Sequence, residues 1–163
     1  AIVKLSALGD IVHAMVALQF IKKYNQKIQI DWIIEACYKD LLDFNPDINK
    51  VHTVNFKKIK QKKSFYLLYK ELKRLRNFGP YDIVLDMQSL IKSAIISRLI
   101  PSKLTLGFDK YSARESGSSI FYNKTFKYGY EKNVVERNFE LIKFALDLPF
   151  KLRELDQKEP FYI

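Results

Sequence analysis

The chain is 163 residues long, 48% hydrophobic, and carries a formal charge of +10. That is enough for one domain with a real core, too short for two, and too apolar for a disordered chain. A single cysteine, Cys37, and two histidines, His13 and His52, exclude an internal disulfide and leave a poor ligand set for a metal cluster.

Strand and helix signals alternate along the chain. Residues 1–5 are mostly apolar and read as a buried strand, followed by a small-residue turn and a helix over 10–24. A second strand is expected over 28–35 and a short helix over 38–44, stopped at Asn45-Pro46 because proline restricts the residue before it. Residues 51–56 read as a third strand. A lysine-rich segment follows, then a helix over 64–77 with apolar positions at Phe65, Leu68, Leu72 and Leu75. Gly79-Pro80 is a strong break. Residues 81–86 form a continuous apolar run, as in the middle of a parallel sheet. A helix over 89–99, ended by Pro101, and a strand over 104–108 come next. Residues 114–121 read as a loop with a short helix, and 131–146 as a final amphipathic helix that Pro149 ends. Such alternation implies βαβ units with right-handed crossovers, hence an α/β, Rossmann-like parallel sheet with helices on both faces.

In such sheets ligands bind beyond the carboxyl ends of the strands. The first crossing, Ser6-Ala7-Leu8-Gly9-Asp10, lies there. Asp10 and His13 are three residues apart, on one face of the expected helix. Asp10 is a candidate general base, and a helix start favours its anion. The same residue type in the same place is also a common N-cap. His13 serves packing or hydrogen bonding as readily as chemistry. The turn lacks G-x-G-x-x-G, no Walker lysine loop occurs, and only five glycines are present, which argues against a dinucleotide here.

The charge is concentrated. Between residues 57 and 76 stand nine lysines and arginines and one carboxylate, Glu71. Such a run suggests an anionic partner, although a solvated helix face has the same composition. No apolar run approaches the roughly 20 residues of a membrane span, and the N-terminus lacks a secretory layout. A soluble or peripheral protein is expected. The basic run with Tyr66 and Tyr69 interleaved suits docking on an acidic membrane.

Several stretches resemble the lipopolysaccharide heptosyltransferases, type I in particular. These are Leu5-Ser6-Ala7-Leu8-Gly9-Asp10-Ile11-Val12-His13, Ile30-Asp31-Trp32-Ile33-Ile34-Glu35, and the stretch from Tyr81 to Ala94 that contains Met87-Gln88-Ser89-Leu90-Ile91-Lys92. Ala113-Arg114-Glu115, Ser119-Ile120-Phe121-Tyr122-Asn123 and Val135-Glu136-Arg137 complete a set running from residue 1 to about 148. Type II openings differ in the residues before Gly-Asp.

The resemblance implies the N-terminal, acceptor-binding half of a two-domain GT-B glycosyltransferase. Residues 1–150 would be that domain, and 151–163 the start of a linker toward a nucleotide-sugar-binding domain. It implies inverting transfer of heptose from ADP-heptose to the first Kdo of Kdo₂-lipid A at the cytoplasmic face of the inner membrane. Asp10 would be the base. Arg114 and the lysines Lys57, Lys58 and Lys60 would meet acceptor anions, with Ser6, His13, Gln88 and Lys92 as further acceptor contacts. Lysine where relatives often carry arginine would bind as a point charge without a bidentate fork. No cofactor and no metal are expected, and the fragment alone would be inactive. The competing readings are a transferase of the same family with another acceptor, a nucleic-acid-binding α/β module, for which no helix-turn-helix, RRM or KH pattern is present, and a stand-alone regulatory α/β domain.

Overall fold

The computed structural model describes residues 1–149 and 151–157. Six strands form one all-parallel sheet: β1 (Ile2–Val3), β2 (Asp31–Glu35), β3 (Lys50–Val54), β4 (Tyr81–Asp86), β5 (Ser102–Phe108) and β6 (Lys124–Phe126). Their order is β3-β2-β1-β4-β5-β6. The order reverses between β1 and β4, so the crevice outside their carboxyl ends is the topological switch point. The helices are α1 (Leu8–Tyr24), α2 (Phe56–Lys62), α3 (Phe65–Leu75), α4 (Ile91–Leu99) and α5 (Val134–Leu146). No helix among the described residues is long and apolar enough to cross a membrane.

The strands bury both faces because their side chains alternate. Trp32 and Ile34 of β2 and Leu85 of β4 join Ile11, Met15 and Leu18 of α1 and Phe139 and Ile142 of α5 in one cluster. Phe20 and Phe139 meet edge to face at 5.0 Å, which locks α1 against α5. Ile33, Val84 and Val3 point the other way, toward Leu75 of α3 and Ile96 of α4. Burying each such side chain contributes about 1.5–3 kcal/mol. The Trp32 indole N–H reaches the Lys4 carbonyl at 3.1 Å, a buried polar group satisfied inside the core.

Local chemistry sets several ends. Ser64 accepts the Leu67 N–H at the start of α3, and Asn133 accepts that of Val135 at the start of α5. Gly79 has φ +84°, and a Cβ there would lie 2.9 Å from the Pro101 carbonyl oxygen. This explains the break before β4.

Three expectations need correction. The segment read as a helix over 38–44 is a 3₁₀ turn, Ala36–Leu41. The lysine-rich segment is helical, as α2, since lysine and glutamine are good helix formers. A sixth strand, only three residues long and at the sheet edge, follows the 3₁₀ turn Ser116–Phe121. In the expected linker, the 3₁₀ turn Leu152–Gln157 is tied to the end of α1 by Glu154, which accepts from Lys23 Nζ and Tyr24 Oη. Phe150 and residues 158–163 lie outside the described residues.

Candidate active site at the switch point

The site is built on Asp86, the last residue of β4. Its carboxylate is buried and accepts four hydrogen bonds: from the backbone of Gln88 (2.8 Å) and Ser89 (3.1 Å), from Ser93 Oγ (2.8 Å) and from Tyr122 Oη (2.9 Å). Burial raises its pKa, and these donors oppose the shift. They also bind together β4, the start of α4 and the loop before β6. Gln88, itself held by Asp86, accepts the backbone N–H groups of Leu5 (3.1 Å) and Ser6 (3.2 Å) through Oε1. The turn after β1 is thus pinned to the end of β4. Gln88 is buried, and its carbonyl oxygen is spent on the protein's own backbone.

Helix α1 begins at Leu8, so Asp10 sits inside the first turn and Ala7, not Asp10, is the N-cap. The cap reading of Asp10 therefore does not hold. Its carboxylate is 36% exposed and faces Arg114 Nη1 at 3.9 Å. No hydrogen bond to that carboxylate occurs among the described residues. Arg114 is held in place by its neighbour. Glu115 donates its backbone N–H to the Ser89 carbonyl (3.0 Å) and accepts the Ile91 N–H at the start of α4 (2.6 Å).

Asp10 and Arg114 face a cavity of about 230 Å³, also lined by Lys4, Gln88, Ser89, Lys132, Arg137 and Asn138. Four cationic side chains thus surround one carboxylate. Lys4 is buried and donates to the Met87 carbonyl at 2.9 Å; burial lowers its pKa, while Asp10 and Asp86 pull it upward. Arg137 is buried, donates to the carbonyls of Ser112 (2.5 Å) and Gly129 (3.0 Å), and lies over the Phe108 and Tyr130 rings. Its partners are neutral, so its charge is available to an anion. Ser89 Oγ and Asn138 Nδ2 are buried and lack a hydrogen-bond partner among the described residues. Unmet hydrogen-bonding capacity in the wall of a cationic pocket is what a polar ligand would complete.

A second cluster lies at the end of β2. Glu35 is buried; among the described residues its Oε1 has no hydrogen bond but faces Lys92 Nζ at 3.5 Å, and its Oε2 takes the Lys57 N–H at 3.5 Å. The Lys57 ammonium donates to Tyr38 Oη (3.0 Å) and Cys37 Sγ (3.3 Å), which raise its pKa. The geometry therefore joins Ser6, Asp10, Gln88 and Arg114 at the switch point and brings Lys57 and Lys92 together around Glu35. Lys58 and Lys60 point into solvent from α2, and His13 is exposed on α1. Lys4, Asp86, Arg137 and Asn138 were not singled out from the sequence. The usable signal was Lys4, a charge inside an apolar strand. Among the described residues no three His, Cys, Asp or Glu side chains are grouped to hold a metal ion.

Residues 68–161 match the model for glycosyltransferase family 9 (heptosyltransferase). The chain belongs to this family. Lipopolysaccharide heptosyltransferase 1 of Campylobacter coli is 38% identical over 162 residues, 99% of this chain and 46% of that protein. The Pseudomonas aeruginosa protein of the same name is 31% identical over 91% of this chain and 42% of its own length. Escherichia coli heptosyltransferase WaaC with ADP-2-deoxy-2-fluoro heptose superposes with a TM-score of 0.85 at 27% identity, over 93% of this chain and 49% of that one. The chain spans about half the length of the relatives it matches, and its sheet corresponds to one half of a GT-B structure. In this glycosyltransferase family 9 chain, Asp10 and the cationic cavity lie where the sheet order reverses.

Proposed function

We propose that this chain is the acceptor half of a type I lipopolysaccharide heptosyltransferase, which moves heptose from ADP-heptose to the first Kdo of Kdo₂-lipid A. The observation that carries this reading is the partly exposed Asp10 carboxylate, with Arg114 at 3.9 Å and no hydrogen bond among the described residues, in a cavity of cations at the switch point. The names of the relatives supply the sugar and the donor nucleotide.

In this mechanism the acceptor hydroxyl oxygen attacks the anomeric carbon of the donor. The bond from that carbon to the diphosphate oxygen breaks, and ADP leaves with the electron pair. The hydroxyl proton passes to Asp10, so atoms and charge balance. A base in this role contributes about 10²–10⁴-fold in rate. Arg114, Lys4 and Arg137 meet the anionic groups of the acceptor, and Arg114 turns from Asp10 toward the ligand as it binds. Gln88 acts through the turn it pins, which carries Ser6. Lys57, Lys58, Lys60 and Lys92 extend the positive field along the acceptor path, and His13 stands one turn beyond the base. The donor is held by the half of the enzyme that this chain does not span, and the work takes place at the cytoplasmic face of the inner membrane.

The test uses the full-length protein, wild type and Asp10→Ala, with ADP-heptose and Kdo₂-lipid A, following ADP release and the mass of the lipid. Addition of one heptose by the wild type, and loss of most turnover in a folded variant, is the expected outcome. A wild type inert with this pair overturns the substrate assignment. A variant that stays active removes Asp10 as base.

A further inference from the structure

The surface formed by α2 and α3 takes no part in the cavity beside Asp10, yet it concentrates most of the charge. Residues 56–76 carry nine lysines and arginines and one carboxylate, a net +8 out of the chain's +10. That carboxylate, Glu71, is buried and bound to Arg74. Lys58, Lys60, Lys62, Lys63, Lys70 and Lys73 are exposed and in no ion pair among the described residues.

The same surface exposes large apolar groups. Helix α3 turns Leu72 and Leu75 to the core and leaves Phe65 at 88%, Tyr66 at 72% and Tyr69 at 65% exposure. Three aromatic side chains within one and a half turns is more than scattered exposure explains. Between α2 and α3 lies an open hollow of about 420 Å³ walled by Ile59, Phe65 and Leu68 and rimmed by Lys60 and Lys63. Aromatic rings with lysines around them match the boundary of a bilayer, where rings enter the headgroup layer and ammonium groups meet anionic phosphates. Single-stranded nucleic acid also stacks on exposed rings among lysines, but it leaves the apolar hollow walled by Ile59, Phe65 and Leu68 without a function.

We infer that the α2–α3 face docks on an anionic lipid bilayer, with Phe65, Tyr66 and Tyr69 entering the headgroup region and the surrounding lysines on its phosphates. The inference borrows from the proposed function only the expectation that a lipid surface is nearby. Each lysine brought within a Debye length of such a surface raises partitioning about fivefold.

The experiment sediments the full-length protein with vesicles of phosphatidylglycerol and phosphatidylethanolamine, and with vesicles of phosphatidylcholine alone, with neither donor nor acceptor present. The wild type should pellet with the anionic vesicles and release in high salt. Lys62→Glu/Lys63→Glu should lower partitioning at least tenfold, and Phe65→Ser/Tyr66→Ser/Tyr69→Ser several-fold, both with an unchanged melt. Turnover on acceptor dispersed in detergent should match wild type in both, which separates docking from catalysis. Wild-type protein that ignores all vesicles overturns the inference. Equal binding to both lipids, or unchanged binding by either variant, overturns it as well.

Discussion

The two ends of the sheet each hold a carboxylate beside a basic partner, and they differ in how fully it is used. At the amino end, Asp31 of β2 meets His52 Nε2 of β3 at 3.2 Å and accepts from Tyr81 Oη of β4 at 2.7 Å. Tyr81 Oη and His52 Nε2 are 3.0 Å apart, and the His52 ring lies against Phe78 at 4.3 Å. At the carboxyl end, Asp10 faces Arg114 at 3.9 Å and accepts no hydrogen bond, and Ser89 Oγ and Asn138 Nδ2 nearby have no hydrogen-bond partner, among the described residues. By residue type the amino end looks the more catalytic, with an acid, an imidazole and a phenol in contact. It also has the larger hollow, about 580 Å³, lined by Asp31 and Tyr81. Saturation decides between them. A network whose groups satisfy one another stabilises the fold, whereas unused capacity at a switch point is open to a ligand.

The largest effect that separates the two ends is in rate. Asp10→Asn should lower turnover of the full-length enzyme about 10²–10⁴-fold with little change in melting temperature. Asp31→Asn should leave turnover near wild type and lower stability by about 1 kcal/mol, the cost of disturbing a part-buried hydrogen-bonded group. Steady-state kinetics and thermal melts on both variants read the contrast directly. If Asp31→Asn loses as much turnover as Asp10→Asn, the comparison fails.

Next in size is the acceptor affinity. Arg114→Ala removes a charged donor and should raise the acceptor KM about 10–100-fold, the equivalent of about 1.5–3 kcal/mol, with a smaller change in kcat. Arg114→Lys should recover part of it, because an ammonium keeps the charge without the planar fork. Glu115→Ala should move KM in the same direction, since Glu115 ties the Arg114 loop to Ser89 and Ile91. A kcat effect equal to that of Asp10→Asn would show that Arg114 serves the transition state, through Asp10 or the developing charge, and not acceptor binding alone.

Much of this arrangement was legible in the chain. The apolar runs at 1–5 and 81–86 mark two of the central strands, and the Gly9-Asp10 crossing marks their carboxyl end at the switch point. What stayed hidden depends on distant partners. Asp86 reads as the polar end of a strand until Ser93 and Tyr122 converge on it, the latter 36 positions away. Arg137 reads as the wet side of an amphipathic helix, yet it is buried beneath Tyr130 and anchored to two carbonyls. The β6 edge has three residues, too few for a period-two pattern to register. The helix start came out two residues late because Asp10 looks like a cap, and no side chain caps α1.

A smaller effect tests the unused capacity itself. Ser89 adopts φ +58°, in the left-handed region, and its buried Oγ lacks a hydrogen-bond partner among the described residues. Ser89→Gly relieves the conformation and removes the orphan hydroxyl, so the free protein should gain about 1 kcal/mol. For a chain of this size that is about 2–4 °C in melting temperature. If the hydroxyl serves the acceptor, KM should rise as stability rises. A stabilised variant with unchanged KM would make Ser89 a strained turn residue and nothing more.

The smallest effect belongs to the amino end and moves with pH. Burial lowers the His52 pKa below its ordinary 6.5, and the Asp31 carboxylate opposes the shift while Lys50 and Arg74 add to it. The unfolded chain therefore takes up this proton before the folded one does. The stability it represents is complete above the ordinary value and is lost as pH falls through that value toward the folded one. Lowering the pH from about 7.5 to about 5.5 should lower the melting temperature, with the loss beginning near the ordinary histidine value. His52→Gln should flatten that part of the slope, while Asp10→Asn should keep it. Because the network sits at the end of the sheet remote from Asp10, kcat measured well below the melt should not follow it. A kcat profile that His52→Gln shifts would show that the saturated end reaches the chemistry after all.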